Sequence, residues 1–138
     1  MFIEFTVPGE PVAKGRARAF IRCGKIGHYT PDKTSNYENL VRLFASRAMG
    51  DKPLMTEAVK VVIWLGITPP ASWSQKKRFS AIADEILPTS KPDADNAAKG
   101  ILDAMNKIVF LDDKQVVDLV ISKRYAIPAM IKVEVRTL

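Results

Sequence analysis

The chain opens on an alternation, Phe2-Ile3-Glu4-Phe5-Thr6-Val7, whose apolar side chains recur mainly at every second place. That period of two belongs to a strand with one buried face. Pro8, Gly9 and Pro11 end it, because proline lacks a ladder donor and glycine favours a turn. Residues 12–30 are basic and interrupted by glycines, which predicts a loop or an irregular hairpin around Ala17–Arg22. Thr30-Pro31-Asp32 then opens a helix through about Ala48, along which Tyr37, Leu40, Val41, Phe44 and Ala48 fall at helical spacing. Gly50 to Pro53 stops it.

Val59–Leu65 is rich in β-branched residues and reads as a buried strand. After Pro69-Pro70, Ser72 or Ser74 caps a helix running to about Ile86. Residues 88–92 form a loop, and a second strong helix runs from about Asp95 to Asn106 with Ala98, Ile101, Leu102 and Met105 on its apolar side. Gln115–Ile127 and Ala129–Val135 read as a hairpin of strands. This order predicts one α+β domain over residues 1–138, with helices packed on a β-sheet.

Composition narrows the class. Hydrophobic residues at 47% and charged residues at 26% are the mix of an ordinary globule, and no run of 18 apolar residues could span a membrane. The first residues lack the basic start and apolar stretch of a signal peptide, so a cytoplasmic protein is expected. Cys23 is the only cysteine, which leaves no internal disulfide and no cysteine-built zinc site. The single His28 is read as a surface or loop residue rather than a ligand.

Charge changes the picture further. Lys and Arg total 21 against 15 acids, a net +6. If a cation neutralises Asp93, Asp95, Asp112 and Asp113, the 21 basic residues face only 11 acids in the rest of the chain. A basic body around an acidic pocket suits a polyanionic substrate.

Asp93 and Asp95 lie two apart at the mouth of the second strong helix, and Asp112-Asp113 precedes the next strand. Carboxylates from separated segments suit a hard cation such as Mg²⁺, which prefers oxygen ligands and keeps several waters. Asp95, Lys99 and Asp103 follow i, i+4, i+8 and share the helix face opposite the apolar one. A lysine there can reach a scissile phosphate and offset the charge that develops on it. The same residues also read blandly: Asp93 or Asp95 as a helix cap, Asp112-Asp113 as a turn, and Lys99 as a solvated partner of Asp95. Chemistry alone leaves both readings open.

The composite Lys91-Pro92-Asp93-Ala94-Asp95-Asn96-Ala97-Ala98-Lys99, then Asp103-Ala104-Met105, then Leu111-Asp112-Asp113-Lys114-Gln115-Val116, resembles the RusA family of Holliday junction resolvases, common in prophages. Pro8-Gly9-Glu10-Pro11-Val12-Ala13-Lys14-Gly15-Arg16-Ala17-Arg18 is also similar to the start of many members. Residues 38–88 carry little of the likeness. The resemblance implies a RusA-like fold, a mixed β-sheet with helices packed on it, in a homodimer that nicks four-way DNA junctions symmetrically. Mg²⁺ would be the cofactor, with Mn²⁺ as a substitute. Carried across, the family's metal-binding aspartates fall on Asp93, Asp95 and Asp113, and its essential lysine on Lys99. Asp112 is an auxiliary acid, while Asp103 and Asp118 are read as supporting residues. The competing readings are a non-catalytic DNA-binding accessory protein, or a Mg²⁺-dependent hydrolase of flaps or nucleotides.

Lys14, Arg16, Arg18, Arg22 and Lys25 crowd into twelve positions and are read as an arm gripping junction backbones. Lys76, Lys77 and Arg78 are read as a solvated helix face. Trp64 is assigned to the core and Trp73 to packing. Phe110, just ahead of the acidic pair, is assigned to packing on the sheet rather than to a wedge at the junction centre.

Overall fold

The computed structural model describes residues 1–14, 18–22, 24–29 and 32–138, with side chains for all of these except residues 18–20, 22, 28 and 29. Strand β1 (Phe2–Pro8) buries Ile3, Phe5 and Val7 and turns Glu4 and Thr6 outward, as its alternation dictates. A two-stranded hairpin follows, β2 (Arg18–Arg22) paired antiparallel with β3 (Lys25–Tyr29). It extends the irregular hairpin expected around Ala17–Arg22. Helix α1 (Asp32–Met49) lays Tyr37, Val41, Ala45 and Met49 into the core. Pro31 and Thr30, expected to open α1, lie outside the described residues. The remaining elements are β4 (Val59–Ile67), α2 (Gln75–Ile82), α3 (Ala94–Met105), a 3₁₀ turn (Asp113–Gln115), β5 (Val116–Tyr125) and β6 (Met130–Thr137).

The main sheet is mixed, in the order β1-β6-β4-β5, with β4 and β5 parallel and the other pairs antiparallel. The expected hairpin of the last two strands is therefore corrected: β5 and β6 do not pair but flank β4. The most apolar strand takes an interior position, hydrogen-bonded along both sides, and the more polar β5 is left at the edge. Residues 126–129 must carry the chain across β4, a gap of about 10 Å at the usual strand spacing. Five extended backbone steps reach about 17 Å, so the short connection suffices.

One face of the sheet holds the core. Val59, Val61, Ile63 and Leu65 of β4 and Ile131, Val133 and Val135 of β6 join β1 beneath α1 and α3. Each large aliphatic side chain buried there contributes about 1.5–3 kcal/mol. Trp64 points to the opposite face, because Val61, Ile63 and Leu65 take the inward register. It is half-buried there, with the Lys132 ammonium 5.0 Å from its ring centroid, which corrects its assignment to the core. Trp73 does pack, edge-on to Tyr125 at 5.4 Å between ring centroids.

Helix α2 starts where expected: the Ser74 hydroxyl accepts from the Lys77 N–H at 3.2 Å. It stops at Ile82 rather than about Ile86, because Asp84 adopts a left-handed φ of 63° and the Glu85 N–H returns to the Ser80 carbonyl at 3.0 Å. That pattern closes a helix. No helix among the described residues is long and apolar enough to cross a membrane.

Candidate active site on helix α3

Helix α3 is strongly two-sided. Ala97, Ala98, Ile101, Leu102 and Met105 are buried, while Asp95 and Lys99 are exposed on the other face. Asp93 occupies the N-cap position, with its carbonyl accepting from the Ala97 N–H at 3.0 Å. Its side chain makes no capping hydrogen bond, so the carboxylate is not spent on satisfying the helix end. Asp95 sits in the first turn, where the partial positive charge of the helix terminus favours an anion. The loop ahead of Asp93 is pinned from the sheet: the Lys123 ammonium donates to the carbonyls of Ser90 at 2.6 Å and Pro92 at 2.9 Å.

Beyond Met105 the chain reverses. Lys107 takes a left-handed φ of 66° and its N–H donates to the Phe110 carbonyl at 2.8 Å. Phe110 is fully buried, which agrees with the packing role. The reversal brings the 3₁₀ turn back alongside α3. There the acidic pair divides its labour. The Asp112 carboxylate accepts from the Lys114 N–H at 2.9 Å, and the Gln115 side-chain carbonyl accepts from the Asp112 N–H at 3.0 Å. This reciprocal cap holds the Asp112 carboxyl below its usual range, chiefly through the Lys114 N–H. Gln115 also donates to the carbonyls of Met55 at 3.0 Å and Glu57 at 2.9 Å.

The two acids and the glutamine of the Asp-Asp-x-Gln motif thus have distinct tasks: Asp112 and Gln115 build the turn, and Asp113 is aimed at α3. Gln115→Ala removes three hydrogen bonds and leaves two carbonyls and an N–H without this partner. It should lower stability by about 1–3 kcal/mol, read as a lower urea midpoint at unchanged m-value.

Asp113 meets Lys99 at 3.2 Å, and Lys99 also contacts Asp103 one turn along at 3.0 Å. Asp103 in turn contacts Lys14 at 2.7 Å, and Lys14 contacts Glu38 of α1 at 2.7 Å. The result is an alternating chain, Glu38–Lys14–Asp103–Lys99–Asp113. Hydrogen bonds to Asp103 and Asp113 raise the Lys99 pKa. Burial acts to lower the Lys14 pKa, but its bonds to Asp103 and Glu38 outweigh that and raise it. Burial likewise acts to raise Asp103, and the two lysines overcome it and lower it. The carboxylate's share of stability is present above its ordinary range and lost as pH falls through its depressed value. The lysines' share is present below their ordinary range and lost as pH rises through their raised values. Lys14, Lys99 and Asp103 therefore stay charged across neutral pH.

Of the residues named from sequence, Asp93 and Asp95 share the mouth of α3, and Lys99 and Asp113 meet directly. Lys25 is exposed at the start of β3. Arg18 and Arg22 lie in β2, and Arg16 lies outside the described residues. Lys14 is held against α3, its N–H donating to the Asn96 carbonyl at 3.3 Å. Glu38 and Lys123 were missed, and no local spacing flags them: Glu38 is 24 positions from its partner and Lys123 31 positions from Pro92.

Among the described residues, no three His, Cys, Asp or Glu side chains converge on one point. The candidate donors are carboxylates, exposed at Asp93 and Asp95 and partly buried at Asp112 and Asp113, with no soft ligand among them. Such an open, all-oxygen set fits a hard cation that keeps several of its waters. Beside it, a cleft of about 610 Å³ is lined in part by Glu10, Lys33, Thr34, Lys91, Asp93 and Asn96. Two lysines at its wall give an anion a favourable approach to Asp93.

A family model described as endodeoxyribonuclease RusA matches residues 8–136. The chain is also similar to the uncharacterized protein YqaN of Bacillus subtilis (strain 168), with 40% identity over 136 residues, covering 97% of this chain and 95% of that protein. The family match takes in Asp93, Asp95, Lys99 and Asp113 together with the capped turn that presents the last of them. The chain belongs to the RusA family of endodeoxyribonucleases.

Proposed function

We propose that this endodeoxyribonuclease resolves four-way DNA junctions by paired, symmetric nicks, with Mg²⁺ as cofactor and Mn²⁺ as a substitute. The observation that carries the reading is the meeting of Lys99 with Asp113 on a helix whose N-cap carboxylate, Asp93, makes no capping hydrogen bond. Asp93, Asp95 and Asp113 would hold the cation, with Asp112 as an auxiliary acid through whatever capacity its cap leaves. The cation would supply Lewis-acid polarisation of the phosphate and a lowered pKa for attacking water. Lys99 lies one helical turn from Asp95 and donates to the negative charge that builds on the phosphate oxygens. The free N-terminus of α3 favours the same anion.

Affinity comes from cations of the arm and of the cleft rather than from the carboxylates. Arg16, Arg18, Arg22 and Lys25 belong to the arm that grips DNA backbones, while Lys14 at its root is engaged by Glu38 and Asp103. Lys33 and Lys91 line the cleft next to Asp93. A junction has two-fold symmetry, and two coordinated nicks need two sites related by that symmetry. A homodimer supplies them. Along the edge strand β5, Val117, Leu119 and Val120 are exposed and offer the apolar surface that such a contact covers. A chain of this activity works in the cytoplasm.

The deciding experiment offers the protein, with Mg²⁺, a synthetic four-way junction, a linear duplex, a flap and a free nucleotide. Paired nicks confined to the junction are expected. Cutting of the flap or nucleotide alone would replace the reading with the general hydrolase, and binding without cutting would replace it with an accessory role. In the same assay, neutralising Arg16, Arg18 and Arg22 together should weaken junction binding and flatten its dependence on log salt by about one unit per lost phosphate contact. An unchanged slope removes the arm from the interface.

A further inference from the structure

We infer that Lys14 is a positioning residue for Lys99, tying the catalytic helix to α1 through Asp103 and Glu38; this rests on the nuclease reading above. A lysine in a basic, Gly-punctuated segment would ordinarily be assigned to DNA backbone. Its surroundings point elsewhere. The Lys14 side chain is only 28% exposed and lies 2.7 Å from each of two carboxylates, Glu38 at 15% and Asp103 at 21% exposure. Its backbone N–H donates to the Asn96 carbonyl. A Cβ added at Gly100 would come within 3.7 Å of the Lys14 Cβ, so the segment lies flat against α3 one residue from Lys99.

Asp103 is thereby gripped from both sides. Alone, an exposed i, i+4 pair such as Lys99–Asp103 is weak and holds its lysine loosely. With its other oxygen fixed by a half-buried ammonium that is itself fixed to α1, the Asp103 carboxylate becomes a rigid acceptor. Lys99 is then held between two defined oxygens, Asp103 Oδ1 and Asp113 Oδ2. A catalytic group must sit within about 0.5 Å of its productive place. Glu38 closes the chain at α1, so that Lys14 does not swing out to solvent.

The test compares Lys14→Met, Lys14→Arg and Glu38→Gln with the parent chain. Nicking is followed at saturating junction with Mg²⁺, and junction affinity is measured over a range of salt without divalent cation. Lys14→Met and Glu38→Gln should slow nicking ~10–100-fold, the range seen when a partner that orients an active-site ligand is lost. Affinity and salt slope should stay unchanged, and Lys14→Arg should restore most of the rate. In a Lys99→Met background, Lys14→Met should add no further loss, because residues that act as a unit are not additive.

A Lys14→Met protein that nicks at the parent rate but binds more weakly, with a salt slope shallower by about one, would make Lys14 a phosphate contact and overturn the inference. A further loss in the Lys99→Met background would overturn it too. The binding measurement reads Lys14 whether or not the chain cuts junctions. A parent chain that cuts none therefore fails the nuclease reading alone. Should Lys14→Met not fold, Glu38→Gln, which leaves the arm untouched, decides the matter on the same readouts.

Discussion

An Asp95→Asn variant should lose junction nicking by on the order of 10³-fold or more while binding the junction as tightly as the parent chain. The substitution is nearly isosteric, and Asp95 is an exposed residue in the first turn of α3. The fold loses only the attraction of one carboxylate to a helix terminus, about 0.3–1 kcal/mol. The chemistry loses much more. Removing one group that stabilises developing charge in an active site typically costs on the order of 10²–10³-fold, and Asp95 is proposed to help hold a cation that would supply Lewis-acid chemistry at the phosphate. Affinity moves the other way if it moves at all, since the protein's cations supply most of it and one repelling negative charge is gone. The measurement is a pair: nicking rate at saturating junction across a Mg²⁺ titration, and junction affinity without divalent cation. Parent-like cutting by Asp95→Asn would remove it from the metal set.

The order of elements was legible from the chain because each rests on local rules. Alternation places β1, helical spacing places α1 and α3, and Ser74 caps α2. Pairing was not legible. β5 and β6 are adjacent in sequence, and nothing in either one reveals that β4 takes the place between them. The gain from hydrogen-bonding the most apolar strand on both sides belongs to the whole sheet. Trp64 was misassigned for a related reason: a run of apolar residues hides the period of two that separates an inward Ile63 from an outward Trp64. The candidate site was legible as a motif where it is compact, with Asp93, Asp95 and Lys99 at the start and along one face of a single helix. Asp113 was preferred over Asp112 through the family resemblance, and the physical difference is that the cap engages the Asp112 carboxylate while Asp113 meets Lys99. Glu38 was not legible at all, since its role exists only once α1 lies against the segment holding Lys14.

Phe110→Ala should cost about 3–5 kcal/mol, the usual penalty for emptying a buried aromatic site. Phe110 is 0% exposed and forms isolated bridges with both Met55 and Asn106. Its carbonyl accepts from the Lys107 N–H, and neighbouring Val109 accepts from the Met55 N–H at 2.8 Å. Phe110 thus anchors in the main core the reversal that carries the chain from α3 back to Asp113. Against a total stability of about 5–15 kcal/mol, the loss should lower the melting temperature by roughly 10–20 °C.

A second consequence separates packing from the wedge reading. If the ring is a structural plug, the folded fraction of Phe110→Ala, assayed well below its melting point, should bind junction DNA normally. Its nicking should be slower, because Asp113 is no longer held at 3.2 Å from Lys99. If the ring instead stacked at the junction centre, affinity would fall and the melting temperature would hardly change. Phe110→Leu refills part of the volume and should recover much of the thermal loss, whereas a stacking role would not be rescued by an aliphatic side chain. Melting curves and junction titrations on the two variants thus test whether the buried floor of the site, rather than its exposed rim, sets the distance between the lysine and the aspartate that face each other across it.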